Sequence, residues 1–242
     1  AASRRLARRM RTRLPAGRLE RARDARAKPG QAGGAGPGGL LLNVVGSLPG
    51  RRPAVVLGAH YDTFARPGFV GANDGASGVA VVVEVARALR RMRRGRDAPE
   101  VRFVLFDGEE APPGADDFLT EGVRGSRAYA RRHARELGAV VVVDMVGDRA
   151  LAIPREAGSD PRLWARLRTA AARVGVARAF PPRTVGEILD DHTPFARRGV
   201  PAIDVIDFTF PAWHTRADDL DAVSARSLDA VGEAVVELLL GR

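Results

Sequence analysis

VRFVLFDGEE, residues 101–110, is an apolar run that ends in two adjacent glutamates. The run reads as a buried strand. A carboxylate pair at the end of such a strand must be solvated, bind a cation, or be tuned for proton transfer. The flanking sequence has to decide which.

The same pattern recurs outward from it. LLLNVVGSL (40–48) and AVVLGAHY (54–61) are apolar runs joined by PGRRP, a spacing that predicts a hairpin. AVVVVDMVG (139–147) and VPAIDVIDF (200–208) are further strands, and ALAIP (150–154) is a candidate short neighbour. Between them GASGVAVVVEVARALRRMRR (75–94) and RGSRAYARRHAREL (124–137) repeat apolar positions at helical spacing. DPRLWARLRTAAARVG (160–175) is a helix with Asp160 as cap and Pro161 at its first position, and SARSLDAVGEAVVELLL (224–240) is a closing helix capped by Ser224. Strands apolar on both faces, alternating with helices, predict an α/β three-layer sandwich. Its central sheet is mixed but largely parallel, with helices on both faces.

The organisation reads as two parts. Residues 1–39 hold a basic helix at 3–14, with Leu6, Met10 and Leu14 on one face, and a glycine-rich loop at 28–39. They pack on or lead into a single catalytic domain at 40–242. The net charge is +10, and the 39 basic residues are all arginine except Lys28. A basic binding module is one reading of that charge. The arginines are scattered and aromatics make up 5% of the chain, too few for a base-stacking surface, so no nucleic-acid partner is expected. No apolar run is long enough to span a bilayer, so no membrane partner is expected either. The start at Ala1 looks trimmed, which leaves room for an exported protein whose leader has been removed. There is no cysteine, so there are no disulfides and any metal must be held by His, Asp and Glu. Nothing in the sequence specifies an oligomeric state.

In sheets of this class ligands collect at the carboxyl ends of the strands. AVVLGA is followed by His60, Tyr61 and Asp62, VRFVLFDG by Glu109 and Glu110, and AVVVV by Asp144. Asp74 stands in GANDGASG ahead of a helix, where it is also a candidate cap, and His214 stands in WHT. Two histidines and three carboxylates with no thiolate suit catalytic zinc, and exceed one tetrahedral set. Two ions sharing a bridging carboxylate, about 3.5–4 Å apart, would use them all. Of the adjacent glutamates, Glu110 is assigned as a ligand and Glu109 as the proton shuttle. Asp62 is expected to hold the ring of His60 as a hydrogen-bond acceptor. His133 and His192 carry no assignment.

Five ordered motifs, GAHYDT, GANDGASG, FDGEE, VVDMVG and WHT, resemble the zinc exopeptidases of the co-catalytic aminopeptidase type and the glutaminyl cyclases built on the same fold. The resemblance implies one of two chemistries at peptide or protein N-termini. In the aminopeptidase branch two zinc ions are held, one by the residues matching His60 and Asp144, one by those matching Glu110 and His214, with Asp74 bridging. In the cyclase branch a single zinc is held by Asp74, Glu110 and His214. In both, Glu109 matches the proton-transfer residue. DDHTPFARRGVP (190–201) and FPAWHT (210–215) read like the cyclases. There Asp190 matches an aspartate in a hydrogen-bond network with Asp144, and Phe210 and Trp213 match aromatic residues lining the substrate pocket. The cyclase tryptophan usual shortly after EEA is absent, with proline, glycine and alanine in its place.

Overall fold

The computed structural model describes Arg8 and residues 11–23, 40–112 and 114–241. The strands are β1 (Arg18–Arg23), β2 (Leu40–Leu48), β3 (Arg51–His60), β4 (Pro99–Phe106), β5 (Leu137–Asp144), β6 (Arg155–Glu156), β7 (Thr184–Val185) and β8 (Ala202–Ile206). The helices are α1 (Ala76–Arg91), α2 (Phe118–Glu121), α3 (Arg124–His133), α4 (Pro161–Arg173), α5 (Thr193–Ala196) and α6 (Ala225–Leu240). The expected helix at 3–14 and loop at 28–39 lie largely outside the described residues.

Six strands form one sheet in the order β1-β2-β4-β3-β5-β8. β4, β3, β5 and β8 run parallel, whereas β1 and β2 are antiparallel additions at one edge. The alternating side chains of β5 explain why both faces need cover. Val141 and Val143 enter the core shared with α1, α4 and α6, while Val140 and Val142 enter the core shared with α3 and α5. Burying each such side chain contributes about 1.5–3 kcal/mol. The three-layer sandwich is therefore present as expected.

Two local expectations change. β2 and β3 do not form a hairpin, because β4 inserts between them: Val45 pairs with Val104, and Leu57 pairs with Phe103. A short connection permits adjacency without requiring it, and the apolar β4 gains burial on both faces at the centre. The run 150–154 is not a strand; the short pair β6–β7 forms a separate two-stranded unit instead. Residues 18–23, an Arg-rich stretch to which no strand was assigned, form the edge strand β1, paired with β2 along all six residues.

Helix α1 fixes the site. Its approach to the sheet requires Gly78, where a Cβ would fall 2.2 Å from the carbonyl oxygen of Val143. Gly75, at φ 90°, lets the turn ahead of the helix pass the ring of His60, which a Cβ would approach to 3.0 Å. Asp160 caps α4 by accepting from the Leu163 amide at 2.7 Å, as its sequence predicts. Ser224 precedes α6 without a side-chain cap bond.

Candidate metal centre and substrate pocket

Parallel strands deliver their last residues to one edge, and the site is built there. His60 ends β3, Asp144 ends β5, Glu109 and Glu110 follow β4, and His214 lies in the loop after β8. Asp74 comes from the turn before α1. It is not the cap of that helix; its own amide and that of Asn73 are held by the Asp218 carboxylate at 3.0 and 2.6 Å. That leaves the Asp74 side chain free to face inward.

Asp74 stands between two histidines. Its Oδ1 is 3.2 Å from His60 Nε2 and its Oδ2 is 3.3 Å from His214 Nε2. His60 Nε2 is also 3.1 Å from Asp144 Oδ1, and His214 Nε2 is 3.4 Å from Glu110 Oε2. The ligating atoms thus form two groups that share Asp74: His60, Asp74 and Asp144, and Asp74, Glu110 and His214. Within each group the atoms lie within 4.8 Å of one another.

The buried polar atoms test the fit to a metal. Asp74 Oδ2 and Glu110 Oε1 are buried and make no hydrogen bond. An orphaned carboxylate oxygen in a dry site is costly unless a cation receives it. Asp144 Oδ1 is already engaged, by His60 and by the Met145 amide at 2.8 Å. Imidazole and carboxylate donors with no thiolate match a zinc-type divalent ion.

The electrostatics of these side chains point the same way. Burial pushes the Glu110 carboxyl up to about 7, against the hydrogen bond from His214. Burial likewise raises Asp144 to about 6, against the charge of His60. Asp74 is held below the usual carboxylate range despite its burial, because the imidazoles of His214 and His60 stand 3.3 and 3.2 Å from its oxygens. His214 is lifted to about 9 despite partial burial, through Asp74 and Glu110. Protons on the two histidines hold this carboxylate cluster together, the task a divalent cation performs in a metal site.

Glu109 sits beside the ligands without joining either group. Its Oε2 is 3.9 Å from His60 Nδ1. Burial lifts its carboxyl well above the ordinary range, the charge of His60 opposes, and Asp190, Glu110 and Asp191 add to the rise. A carboxyl tuned upward in this way is suited to take and return a proton near neutral pH.

The loop carrying the glutamates is braced from both sides. Asp62 accepts from the amides of Glu109 and Glu110 at 3.1 and 3.2 Å, and Arg124 donates to the carbonyls of Gly108 and Glu110. Asp62 was expected on the ring of His60. Its Oδ1 is 3.7 Å from Nδ1, too long for a hydrogen bond, so its main contacts are the two amides. Among the described residues four non-glycine residues have positive φ, and three of them, Val123, Met145 and His214, adjoin this centre. Backbone strain of that kind collects where a site is over-determined.

A cavity of about 340 Å³ opens above the centre, with Asp74, Glu109, Glu110, Asp144 and His214 on its floor. Its walls include Phe118, Ile188, Leu189, Phe208 and Trp213. Trp213 takes the wall position expected of it. Phe210 does not line the cavity: it is buried at 5% exposure against Met145 and Ile206, which do. Phe208, two residues earlier in the same turn, takes the surface position and packs on Trp213 with ring centroids 4.8 Å apart. Asp190 is 3% exposed and lies behind the floor, where its Oδ1 accepts from the amide of Asp191.

The profile of peptidase family M28 matches residues 43–239. The chain belongs to peptidase family M28. Among its relatives in that family, the glutaminyl-peptide cyclotransferase-like protein of Mus musculus is 34% identical, over 73% of this chain and 54% of its own length. The chain spans about half to two thirds of the curated relatives it matches. The crystal structure of an Acidobacteriales bacterium glutaminyl cyclase superposes with a TM-score of 0.77 at 33% identity, covering 92% of this chain and 78% of that one. A leucine aminopeptidase precursor from Bacteroides thetaiotaomicron superposes with 0.82 at 25% identity, covering 99% and 87%. Both branches named from the motifs therefore stand beside this M28 chain.

The structure brings together His60, Asp74, Glu109, Glu110, Asp144 and His214, all proposed from sequence. It adds Phe64, Phe118, Glu187, Ile188, Leu189 and Phe208, which sequence reasoning passed over. Only the alternating aromatics of FTFPAW (208–213) carried a signal for any of them; the rest lie in loops whose direction no periodicity encodes. No helix of the described residues is long and apolar enough to cross a membrane.

Proposed function

We propose that the protein is a zinc-dependent glutaminyl-peptide cyclotransferase, which closes an N-terminal glutamine into pyroglutamate with release of ammonia. The observation that carries the reading is the unequal state of the two ligand groups. The ligating atoms His60 Nε2 and Asp144 Oδ1 pair directly at 3.1 Å, whereas Asp74 Oδ2 and Glu110 Oε1, beside His214, are unsatisfied. This supports one zinc, at Asp74, Glu110 and His214, with His60 Nε2 and Asp144 Oδ1 paired beside it.

Zinc bound to these three residues supplies Lewis-acid polarisation of the substrate γ-carboxamide. The rest falls to the chain. The walls of the cavity exclude water from the glutamine side chain, so that its own α-amine is the nucleophile at hand. Attack within one residue carries a high effective molarity and needs no external reactant. The amine nitrogen bonds to the side-chain carbonyl carbon, the carbon–nitrogen bond of the carboxamide breaks, and ammonia leaves. Glu109 takes a proton from the attacking amine and returns it to the leaving nitrogen, so the carboxylate is regenerated in each cycle. Burial keeps Glu109 protonatable, with the charges of Asp190, Glu110 and Asp191 adding to it.

A second reading, a dinuclear aminopeptidase, is favoured by the two ligand groups that share Asp74. One experiment separates the two. The zinc-loaded chain is incubated with Gln-peptides and Leu-peptides, product masses are read, and bound zinc is counted by elemental analysis. Loss of one ammonia with one zinc supports the cyclase; loss of a whole residue with two zinc ions replaces it by the peptidase; no zinc after dialysis against the metal removes both.

A further inference from the structure

The cavity above the metal centre holds one charge that the chemistry does not use. Glu187 lines it, in the segment that follows β7. Among the described residues Glu187 has no hydrogen-bond or ion-pair partner, although the chain carries 39 basic residues. No arginine lines the cavity. The side chain of Glu187 passes over Gly158, where a Cβ would lie 3.3 Å from its Cγ and 3.0 Å from Glu156 Oε2. The turn thus gives the Glu187 side chain room at the cavity.

Glu187 is exposed, and its surroundings set it apart from other exposed carboxylates. Six large hydrophobic side chains are exposed among the described residues, and three of them, Leu189, Phe208 and Trp213, ring this cavity. Trp213 is 44% exposed, with one side of its ring system toward His214. An exposed aromatic wall beside an unpaired carboxylate is a receptor for an extended cation. The ring faces attract a guanidinium or ammonium, and the carboxylate pairs with its charge.

We propose that Glu187, with Trp213 and Phe208, forms a subsite for a cationic side chain, arginine or lysine, at the second position of the substrate. The proposal rests on the cyclase reading for the placing of the first residue over the metal. With that residue on the floor, the peptide leaves past the wall, and its second side chain meets Glu187. A glutamate at that position meets a like charge.

The test uses the zinc-loaded full chain with Gln-Arg-Ala, Gln-Ala-Ala and Gln-Glu-Ala amides. Ammonia release gives kcat/KM for each, in the wild type, in Glu187→Gln and in Glu187→Arg. The expected Arg-to-Glu preference of the wild type is about ten-fold, the scale of one partly exposed charge pair gained against one repulsion. Glu187→Gln brings the ratio to within about two-fold, and Glu187→Arg inverts it. Binding is read separately from turnover, by the fluorescence of Trp213 on titration with the same peptides in a Glu109→Gln background; the other tryptophan, Trp164, is buried. Ammonia release with a ratio that Glu187→Gln leaves unchanged overturns the subsite and leaves the cyclase reading standing. No ammonia from any peptide, with an Arg preference in fluorescence that Glu187→Gln abolishes, overturns the cyclase reading and keeps the subsite. No preference in either readout overturns the subsite.

Discussion

The imidazole of His214 lies flat against Phe64, with ring centroids 3.9 Å apart and planes 10° from parallel. The Trp213 ring is stacked on the same imidazole at 4.4 Å. Arg66 donates to the carbonyl of His214 at 2.7 Å, and Arg216 returns a bond to the carbonyl of Pro67. The loop after β3 therefore grips the loop that carries a metal ligand. His214 holds a positive φ of 55° under that grip.

Phe64→Ala should release the ring. Groups that orient a ligand are typically worth 10–100-fold in metal affinity, so a loss of about ten-fold in zinc affinity is expected. Phe64 is only half-buried, and the melting temperature should move little. Competition against a chelator, beside a thermal melt, checks both. An unchanged zinc affinity would assign the stacking to packing alone.

Glu109→Gln should keep the metal and lose turnover by roughly two or more orders of magnitude, as removal of a general base does. The amide is isosteric, and the Asp62 bond to the residue 109 backbone is untouched. Elemental analysis and ammonia release measured on one preparation decide it. A full rate would move the proton transfer to another group.

Zinc binding should strengthen as pH rises. Without metal His214 carries its proton up to about pH 9 and Glu110 up to about pH 7. Zinc requires both groups deprotonated, so it must displace whatever protons they hold. The apparent affinity should rise about ten-fold per pH unit between 7 and 9, where one proton is displaced, and more steeply below 7, where two are. Chelator competition across pH 6–9, with proton release measured in weak buffer, tests the slope. A flat profile would exclude His214 as a ligand.

The edge strand has its own pH dependence. His133 on α3 bridges Glu20 on β1 and Glu136, at 3.2 Å each. The hydrogen bond that His133 donates to Glu20 raises the His133 pKa, with burial opposing. Its contribution to stability is complete below the unfolded value of about 6.5 and fades as pH rises through the folded one. Glu20 is lowered despite its burial, through His133, so its contribution is present above about 4.5 and fades as pH falls through its folded value. Glu20→Gln should therefore cost most between about pH 4.5 and 6.5, about 0.5–1 kcal/mol for a partly exposed pair, and less at pH 8. Urea unfolding at pH 5.5 and 8 measures the difference. An equal cost at both would place the effect in Arg132, which also bonds to Glu20.

The residues legible in the sequence were those tied to the end of an element. His60, Glu110 and Asp144 each follow an apolar run, and a run that is buried on both faces forces its next polar residue to the edge. Asp74 was legible by type as a ligand, although NDGASG serves a cap as well, and only the structure separates the two. Phe210 was named from the match of FPAWHT, whereas Phe208 two residues earlier lines the cavity, because only the turn's orientation decides which ring is buried. Asp62 was given to the wrong partner for the same reason: the amides of Glu109 and Glu110 are 47 and 48 residues away and become neighbours only when β4 lies beside β3.

The sequence by itself determined the three-layer α/β class and the chemical kind of the site, because periodicity and donor type are local properties of the chain. The strand order, the sharing of Asp74 between two histidines, the stacking of Phe64 on His214 and the isolation of Glu187 were decided only by the tertiary structure. Each depends on where loops from distant parts of the chain meet, and that is set by how the strands assort to bury both faces of the sheet.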